Sequence, residues 1–128
     1  MLVTHTAATA TTIIYDVVTS AVTVIGGGIL TENGHMSYSP CGRWILSDTY
    51  PDPVSHERTL FIYDTREGRR HDLGSFYADP KIDKHCRCDL HPRWSRDGAA
   101  ICIDSVHEGE RQMYLIDVSK LTLGASAP

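Results

Sequence analysis

The chain has 128 residues, of which 41% are hydrophobic and 22% are charged; these are globular values that exclude a wholly disordered chain. Its formal net charge of −4 at pH 7 argues against nucleic acid as a main partner, because phosphate binding depends on clustered Lys and Arg. No apolar run approaches the roughly 18 residues that a membrane span requires, so we expect no membrane partner.

The amino terminus and the cysteines indicate in which cellular compartment we expect the protein. Residues 1–10 contain no Lys or Arg ahead of their small residues, so they lack the charged head of a secretory signal. The spacing of Cys41, Cys86, Cys88 and Cys102 does not form a disulfide framework. We therefore expect a reducing, cytoplasmic location.

Residues 1–30 are predicted to be a tail plus the remnant of a repeat unit. Residues 1–12 are rich in Thr and Ala without a clear period, and form either a tail or a poorly formed strand. Residues 12–17, Thr-Ile-Ile-Tyr-Asp-Val, resemble strand segments that occur later in the chain. Residues 22–25 would form the last strand of this remnant, which the three glycines at 26–28 end.

A repeat dominates the rest of the chain. Residues 35–44 return 56 positions later as residues 91–100, each copy with a histidine, an aromatic residue three positions on, a serine, a two-residue spacer and a glycine. Downstream, 60–64 matches 113–117 at an offset of 53, which places three extra residues in the loop at 51–53. A period of roughly 40–55 residues with several short strands per unit indicates a propeller or another repeat array.

The repeat predicts an all-β chain that forms a partial β-propeller of about two to two and a half four-stranded antiparallel blades. Residues 31–84 would form the first complete blade, and residues 85–128 an incomplete second blade with a carboxyl-terminal tail. A closed propeller typically has 4–8 blades. We therefore expect the remaining blades to come from a longer chain or from self-association.

His35 and His91 occupy the same place in the two units, at the entry to the first strand. In a propeller the first strand is the innermost one, so equivalent histidines on neighbouring blades would point toward a shared axis. Neutral imidazole is a ligand for Mn²⁺, Zn²⁺ or Fe²⁺, so the pair is a candidate metal site. The alternative is that each histidine caps its strand by hydrogen bonding.

The segment 85–91 is dense in possible ligands. If it is extended, the residues at 85, 87, 89 and 91 share one face, and Cys86, Cys88 and Leu90 share the other. A polar site that contains Asp89 and His91 is one interpretation. A structural zinc site is weaker, because the Cys-x-Cys spacing has no second matching pair. Asp48 and Asp104 recur at one repeat position and Asp64 and Asp117 at another, which favours structural hydrogen bonds.

The pattern His-x-x-aromatic-Ser-x-x-Gly followed by a strand resembles the WD-like repeats of the Tol-type β-propellers. More particularly, residues 88–98 and the Arg-Gln-Met-Tyr at 111–114 resemble the oligogalacturonate lyase family, over about residues 30–120. That resemblance implies a seven-bladed propeller that degrades pectin-derived oligogalacturonides by β-elimination. It also implies an axial Mn²⁺ held by histidines from different blades and a glutamine.

The resemblance carries over to this chain only in part. His35 and His91 match the metal-binding histidine positions, whereas Cys88 stands where the family has its glutamine. No histidine lies between His5 and His35, where the catalytic base would fall, and a third metal histidine would come from a following blade. The catalytic residue therefore stays unassigned, and we expect the isolated chain to be inactive.

The implied chemistry makes Arg87 and Arg93 candidates for binding the carboxylates of an acidic oligosaccharide. Removal of a proton α to a uronate carboxylate requires that a metal ion or an arginine offset the developing charge. Planar guanidinium groups bind carboxylates through paired hydrogen bonds, although either arginine could instead pair with Asp89 or Asp104. The alternative function is a non-catalytic propeller module that binds a protein or a carbohydrate.

Overall fold

A computed structural model describes residues 2–6, 11–82 and 87–124. In these ranges the chain forms antiparallel strands in three sheets and one short helix, so the prediction of an all-β chain is confirmed. The elements are β1 (Leu2–Thr6), β2 (Thr11–Tyr15), β3 (Val22–Ile25), β4 (Ser37–Tyr38), β5 (Trp44–Asp48), β6 (Glu57–Asp64), β7 (Arg69–Tyr77), β8 (Arg93–Trp94), β9 (Ala100–Ser105), β10 (Gln112–Asp117) and α1 (Ser119–Thr122).

The first sheet has the strand order β1-β2-β3, and at the amino terminus it contains a strand, one of the two alternatives that the sequence left open for residues 1–12. Residues 2–6 pair with residues 11–15 along the full length of both strands. Val3 is buried and packs with Leu30 and the second sheet. It gives β1 an apolar contact that the Thr- and Ala-rich sequence does not predict. The strand expected at 22–25 is present and pairs with β2.

The second sheet is a four-stranded meander in the order β4-β5-β6-β7, as the repeat predicts for a complete blade. The turn before β5 places Gly42 at a φ of +72°, a backbone conformation that glycine adopts without steric cost. The three-residue insertion lies in the loop between β5 and β6. There Asp52 accepts hydrogen bonds from the backbone amides of Val54 and Ser55 at 2.8 Å, which closes a local turn.

The third sheet has the order β10-β9-β8, so three strands follow the second histidine in the described part of the chain. The predicted carboxyl-terminal tail begins after β10 with a single helical turn, α1. Asp117 accepts a hydrogen bond from the backbone amide of Ser119 at 2.8 Å. The hydroxyl of Thr122 donates a hydrogen bond to the carbonyl oxygen of Gly98 at 2.8 Å. The first bond closes the turn locally, and the second holds it against the β8–β9 hairpin.

The second sheet is the middle layer, because its two faces pack against the other two sheets. Alternation along a strand sends successive side chains to opposite faces. Leu46 and Ile62 therefore join the cluster that packs against the third sheet, whereas Ile45, Phe61 and Tyr63 join the cluster that packs against the first. This stacking brings the chain segments that enter β4 and β8 next to each other.

Among the described residues, the short helix α1 is far from the length and apolarity that crossing a bilayer would demand.

Candidate functional site

His35 and His91 lie side by side at the junction of the second and third sheets. Each precedes the first strand of its sheet by two residues, and their ring centroids are 4.6 Å apart with the planes tilted by 60°. Two equivalent positions of the repeat therefore meet at one point. Both histidine residues are exposed, so the two rings form a surface that a ligand can reach.

Asp48 fixes the orientation of His35. The backbone amide of His35 donates to Oδ1 of Asp48 at 2.7 Å, and Nδ1 of the ring lies 3.0 and 3.1 Å from the two carboxylate oxygens. Asp48 is buried at the end of β5. Gly34 permits this close approach, because a Cβ at that position would lie 1.7 Å from the carbonyl oxygen of Asp48. With Nδ1 engaged, the other ring nitrogen of His35 is the one left for a ligand.

His91 is held differently from His35. Its φ of +40° lies in the left-handed region, where residues other than glycine are uncommon. Its carbonyl oxygen accepts a hydrogen bond from Nη1 of Arg93 at 2.9 Å. Asp104 corresponds to Asp48 in the repeat, but it binds Nη2 of Arg93 at 3.1 Å. The side chain of Arg93 therefore holds the backbone at His91, whereas Asp48 binds the ring of His35 itself.

Asp89 lies near the two histidines and binds a pair of arginines. Its Oδ1 accepts a hydrogen bond from Nε of Arg58 at 3.2 Å. Its Oδ2 accepts hydrogen bonds from Nε and Nη2 of Arg87 at 3.1 and 2.6 Å. Burial alone raises the pKa of Asp89, but the hydrogen bonds and charges of Arg87 and Arg58 lower the pKa overall, so the carboxylate is ionised. The guanidinium of Arg87 also lies 5.5 Å from the ring centre of Tyr50.

The donor atoms of His35, Asp89 and His91 all lie within 4.8 Å of one another. Two imidazoles and one carboxylate form a ligand set that suits a first-row divalent cation. However, both oxygens of Asp89 already accept hydrogen bonds from arginines, which compete with coordination. The residue types therefore fit a metal ion, while the surrounding charge disfavours one.

The neighbourhood carries more positive than negative charge. Asp104, which binds Arg93, also lies 3.7 Å from a guanidinium nitrogen of Arg111. With the histidines neutral, four arginines face three aspartates, an excess of one positive charge in a chain whose net charge is −4. We call this region the cationic corner; it consists of His35, Asp48, Arg58, Arg87, Asp89, His91, Arg93, Asp104 and Arg111.

The residues that the sequence predicted for the site differ in their partners and their exposure. Arg87 and Arg93 pair with Asp89 and Asp104, as one of the two sequence interpretations holds. Nevertheless, their side chains stay 46% and 45% exposed. Cys88 is buried, and burial raises the pKa of its thiol. The zinc interpretation also involves positions 85 and 86, which lie outside the described residues.

Sequence reasoning did not assign Asp48, Arg58 or Arg111 to the site. Asp48 carried a signal, since it recurs as Asp104, but repetition alone favoured a structural hydrogen bond. Nothing in the pattern around Arg58 marks it, because it lies on β6, 31 positions before the Asp89 that it binds. Only the packing of the second sheet on the third brings these residues together.

Comparisons with known proteins support the fold. No protein-family model matches the chain, and no curated protein sequence does either. The crystal structure of TolB from Acinetobacter baumannii matches with a TM-score of 0.59 and 20% sequence identity, over 84% of this chain and 24% of that one. The chain thus spans about a quarter of the length of that protein.

The match to TolB, a Tol-type β-propeller protein, confirms the prediction of a partial β-propeller. It agrees with the broader of the two sequence resemblances, to Tol-type propellers. The narrower resemblance to oligogalacturonate lyases finds no support in these comparisons. At this level of identity the likeness concerns the fold alone.

Proposed function

We propose that this chain is part of a non-catalytic β-propeller module that binds an acidic carbohydrate at the cationic corner. The observation that carries the proposal is the excess of guanidinium groups there, three of which are about half exposed. The exposed fractions are 46% for Arg87, 45% for Arg93 and 58% for Arg111. Exposed guanidiniums beside ionised aspartates stay oriented, so they can bind a uronate carboxylate without a large ordering cost.

A carbohydrate suits this corner better than a protein segment does. Tyr50 is 49% exposed and lies beside Arg87, so an aromatic face and a carboxylate donor are adjacent. The C–H face of a sugar packs on such a ring while its carboxylate reaches the guanidinium. The imidazoles of His35 and His91 add hydrogen-bonding groups for sugar hydroxyls on the same surface.

Calorimetric titration of the chain with digalacturonate tests the proposal. We expect binding that weakens as NaCl is raised, because the contact is between exposed charges. Arg93→Ser should weaken it at least tenfold. Arg69→Ser is the matched control, because Arg69 is an exposed arginine at the start of β7, outside the corner, and it should leave the affinity unchanged. Equal binding of the neutral methyl ester, or no binding of either sugar, would overturn the proposal.

The second candidate is a metal-assisted oligogalacturonide lyase, and the cluster of His35, Asp89 and His91 favours it. These three residues would hold Mn²⁺, which would offset the enediolate charge that develops when the proton α to the carboxylate is removed. Asp48 would keep the ring of His35 in the orientation for binding. Arg87 and Arg93 would hold the substrate carboxylates.

Two measurements separate the candidates. Titration with Mn²⁺ should show binding that His91→Ala abolishes and that His56→Ala leaves intact, since His56 lies in the loop between β5 and β6. Absorbance of an unsaturated uronate product from digalacturonate then reports the lyase reaction; it is measured on a longer chain that carries the remaining blades, because we expect the isolated chain to be inactive. If Mn²⁺ does not bind and the absorbance stays flat while digalacturonate still binds, the lyase candidate fails and the binding module stands.

A further inference from the structure

A cavity of about 190 Å³ lies behind the cationic corner, between the loop after β5, the segment after β7 and the chain entering the third sheet. Most of its wall is apolar, and one guanidinium in it belongs to Arg58, whose side chain is only 4% exposed. The lining residues are Pro51, His56, Arg58, Ala78, Asp79, Pro80, Ile82, Arg87, Cys88 and Val106.

Arg58 is the unusual member of this wall. A guanidinium that is almost fully buried requires hydrogen-bond acceptors, since an uncompensated buried charge is costly. Its Nε donates to Asp89 at 3.2 Å. Within the described ranges its two Nη groups donate no hydrogen bond. These groups can therefore bind a further acceptor that enters the cavity.

The charges around the cavity define which acceptor fits. Arg58 and Arg87 contribute two positive charges, and Asp89, which binds both, offsets one of them. Asp79 balances the remaining positive charge, so the wall is neutral overall, and its Oδ1 accepts a hydrogen bond from the backbone amide of Lys81 at 2.8 Å. A single carboxylate on the ligand can accept hydrogen bonds from the Nη groups of Arg58, whereas a second carboxylate would meet no further unpaired guanidinium among the described lining residues and would be repelled by Asp79.

We infer that this cavity binds a small monocarboxylate with an apolar body, its carboxylate on Arg58 and Arg87 and its apolar part against Pro51, Ile82 and Val106. The volume is below the roughly 300–1,000 Å³ of pockets for drug-sized ligands, so the ligand is small. This inference goes beyond the proposed binding of carbohydrate, because the ligand and most of the lining residues differ. Arg58 and Arg87 belong both to the cationic corner and to the cavity wall, and of these two only Arg87 is assigned to the carbohydrate.

NMR titration of the chain with benzoate tests the inference. We expect shifts at the amides of Arg58, Arg87 and Val106. Benzamide, which has the same ring without the charge, should bind at least tenfold more weakly, and the dianion phthalate should also bind more weakly. Benzamide that binds as tightly as benzoate would overturn the inference, as would the absence of shifts at these amides.

Two variants keep this test separate from that of the proposed function. Val106→Trp fills the cavity from a half-buried position and should weaken benzoate binding at least tenfold while digalacturonate binding persists. Arg93→Ser lies outside the cavity wall and should leave the affinity for benzoate unchanged. If Val106→Trp folds, as its far-UV spectrum will report, and still binds benzoate normally, the cavity is not the site.

Discussion

The two copies of the repeat share a backbone plan but use their aspartates in different ways. In the first copy Asp64 ends β6, is fully buried and binds Arg43, and Asp48 binds His35. In the second copy the equivalent Asp117 is exposed. The difference shows that a repeated residue can be a structural anchor in one blade and a surface group in the next.

The reason lies in single substitutions between the copies. Arg43 corresponds to Ala99, so the second copy has no guanidinium at the position that would cover Asp117. Ser37 corresponds to Arg93, which takes Asp104 away from the histidine. At these two positions the first copy buries its carboxylates, whereas the second copy leaves Asp104 partly exposed and Asp117 exposed.

The largest expected effect is on Asp64. Its carboxylate accepts hydrogen bonds from Arg43 and from the amides of Arg66 and Glu67 at 2.9 and 3.3 Å. Removing one partner of a buried pair leaves the other group poorly compensated, so Asp64→Ala should lower the free energy of unfolding by about 3 kcal/mol. Asp117→Ala, the equivalent change in the second copy, should cost far less. Urea denaturation followed by circular dichroism measures both; equal losses would contradict the comparison.

The same carboxylate predicts an acid dependence. Burial alone raises the pKa of Asp64, but the hydrogen bonds from Arg43 and the two amides lower it overall. A lowered pKa in the folded state stabilises the fold above the unfolded value of roughly 3.9, and this stability is lost as the pH falls through the folded pKa. The difference in unfolding free energy between the wild type and Asp64→Ala should therefore shrink below about pH 4.

A smaller effect is expected at Gly34, which corresponds to Leu90 in the second copy. The close approach of Gly34 to the carbonyl of Asp48 leaves no space for a methyl group. Gly34→Ala should destabilise the chain by about 2 kcal/mol and disturb the bond between Asp48 and His35. Gly27→Ala is the matched control, because a Cβ there meets nothing within 4 Å. Thermal unfolding of both variants checks this; an unchanged melting temperature for Gly34→Ala would contradict it.

The smallest expected effect is that of Arg93→Ser, which restores the residue of the first copy. Its hydrogen bond lowers the pKa of Asp104, so the variant should raise that pKa toward its ordinary value. The pair is about half exposed on the arginine side, so we expect a stability change of at most about 0.5 kcal/mol. NMR titration of the Asp104 carboxyl measures the shift. An unchanged pKa would show that Arg93 does not hold Asp104 in solution.

The sequence allowed the strands of both repeats to be predicted closely. The four strands β4 to β7 all lie within the blade predicted at residues 31–84, because alternation and turn residues are local properties of the chain. Strand β1 was harder to predict, since its pairing with β2 and the burial of Val3 depend on the rest of the fold. Its residues alone have no clear period.

By itself, the sequence determined the repeat, the all-β architecture and the equivalence of His35 with His91, because these depend on spacing along one chain. Only the tertiary structure decided which charges surround those rings. Arg58 reaches Asp89 across 31 positions, and Asp48 rather than Asp104 holds a histidine. The physical reason is that electrostatic partners are fixed by how the sheets pack, and a hydrogen bond between distant residues leaves no period in the sequence.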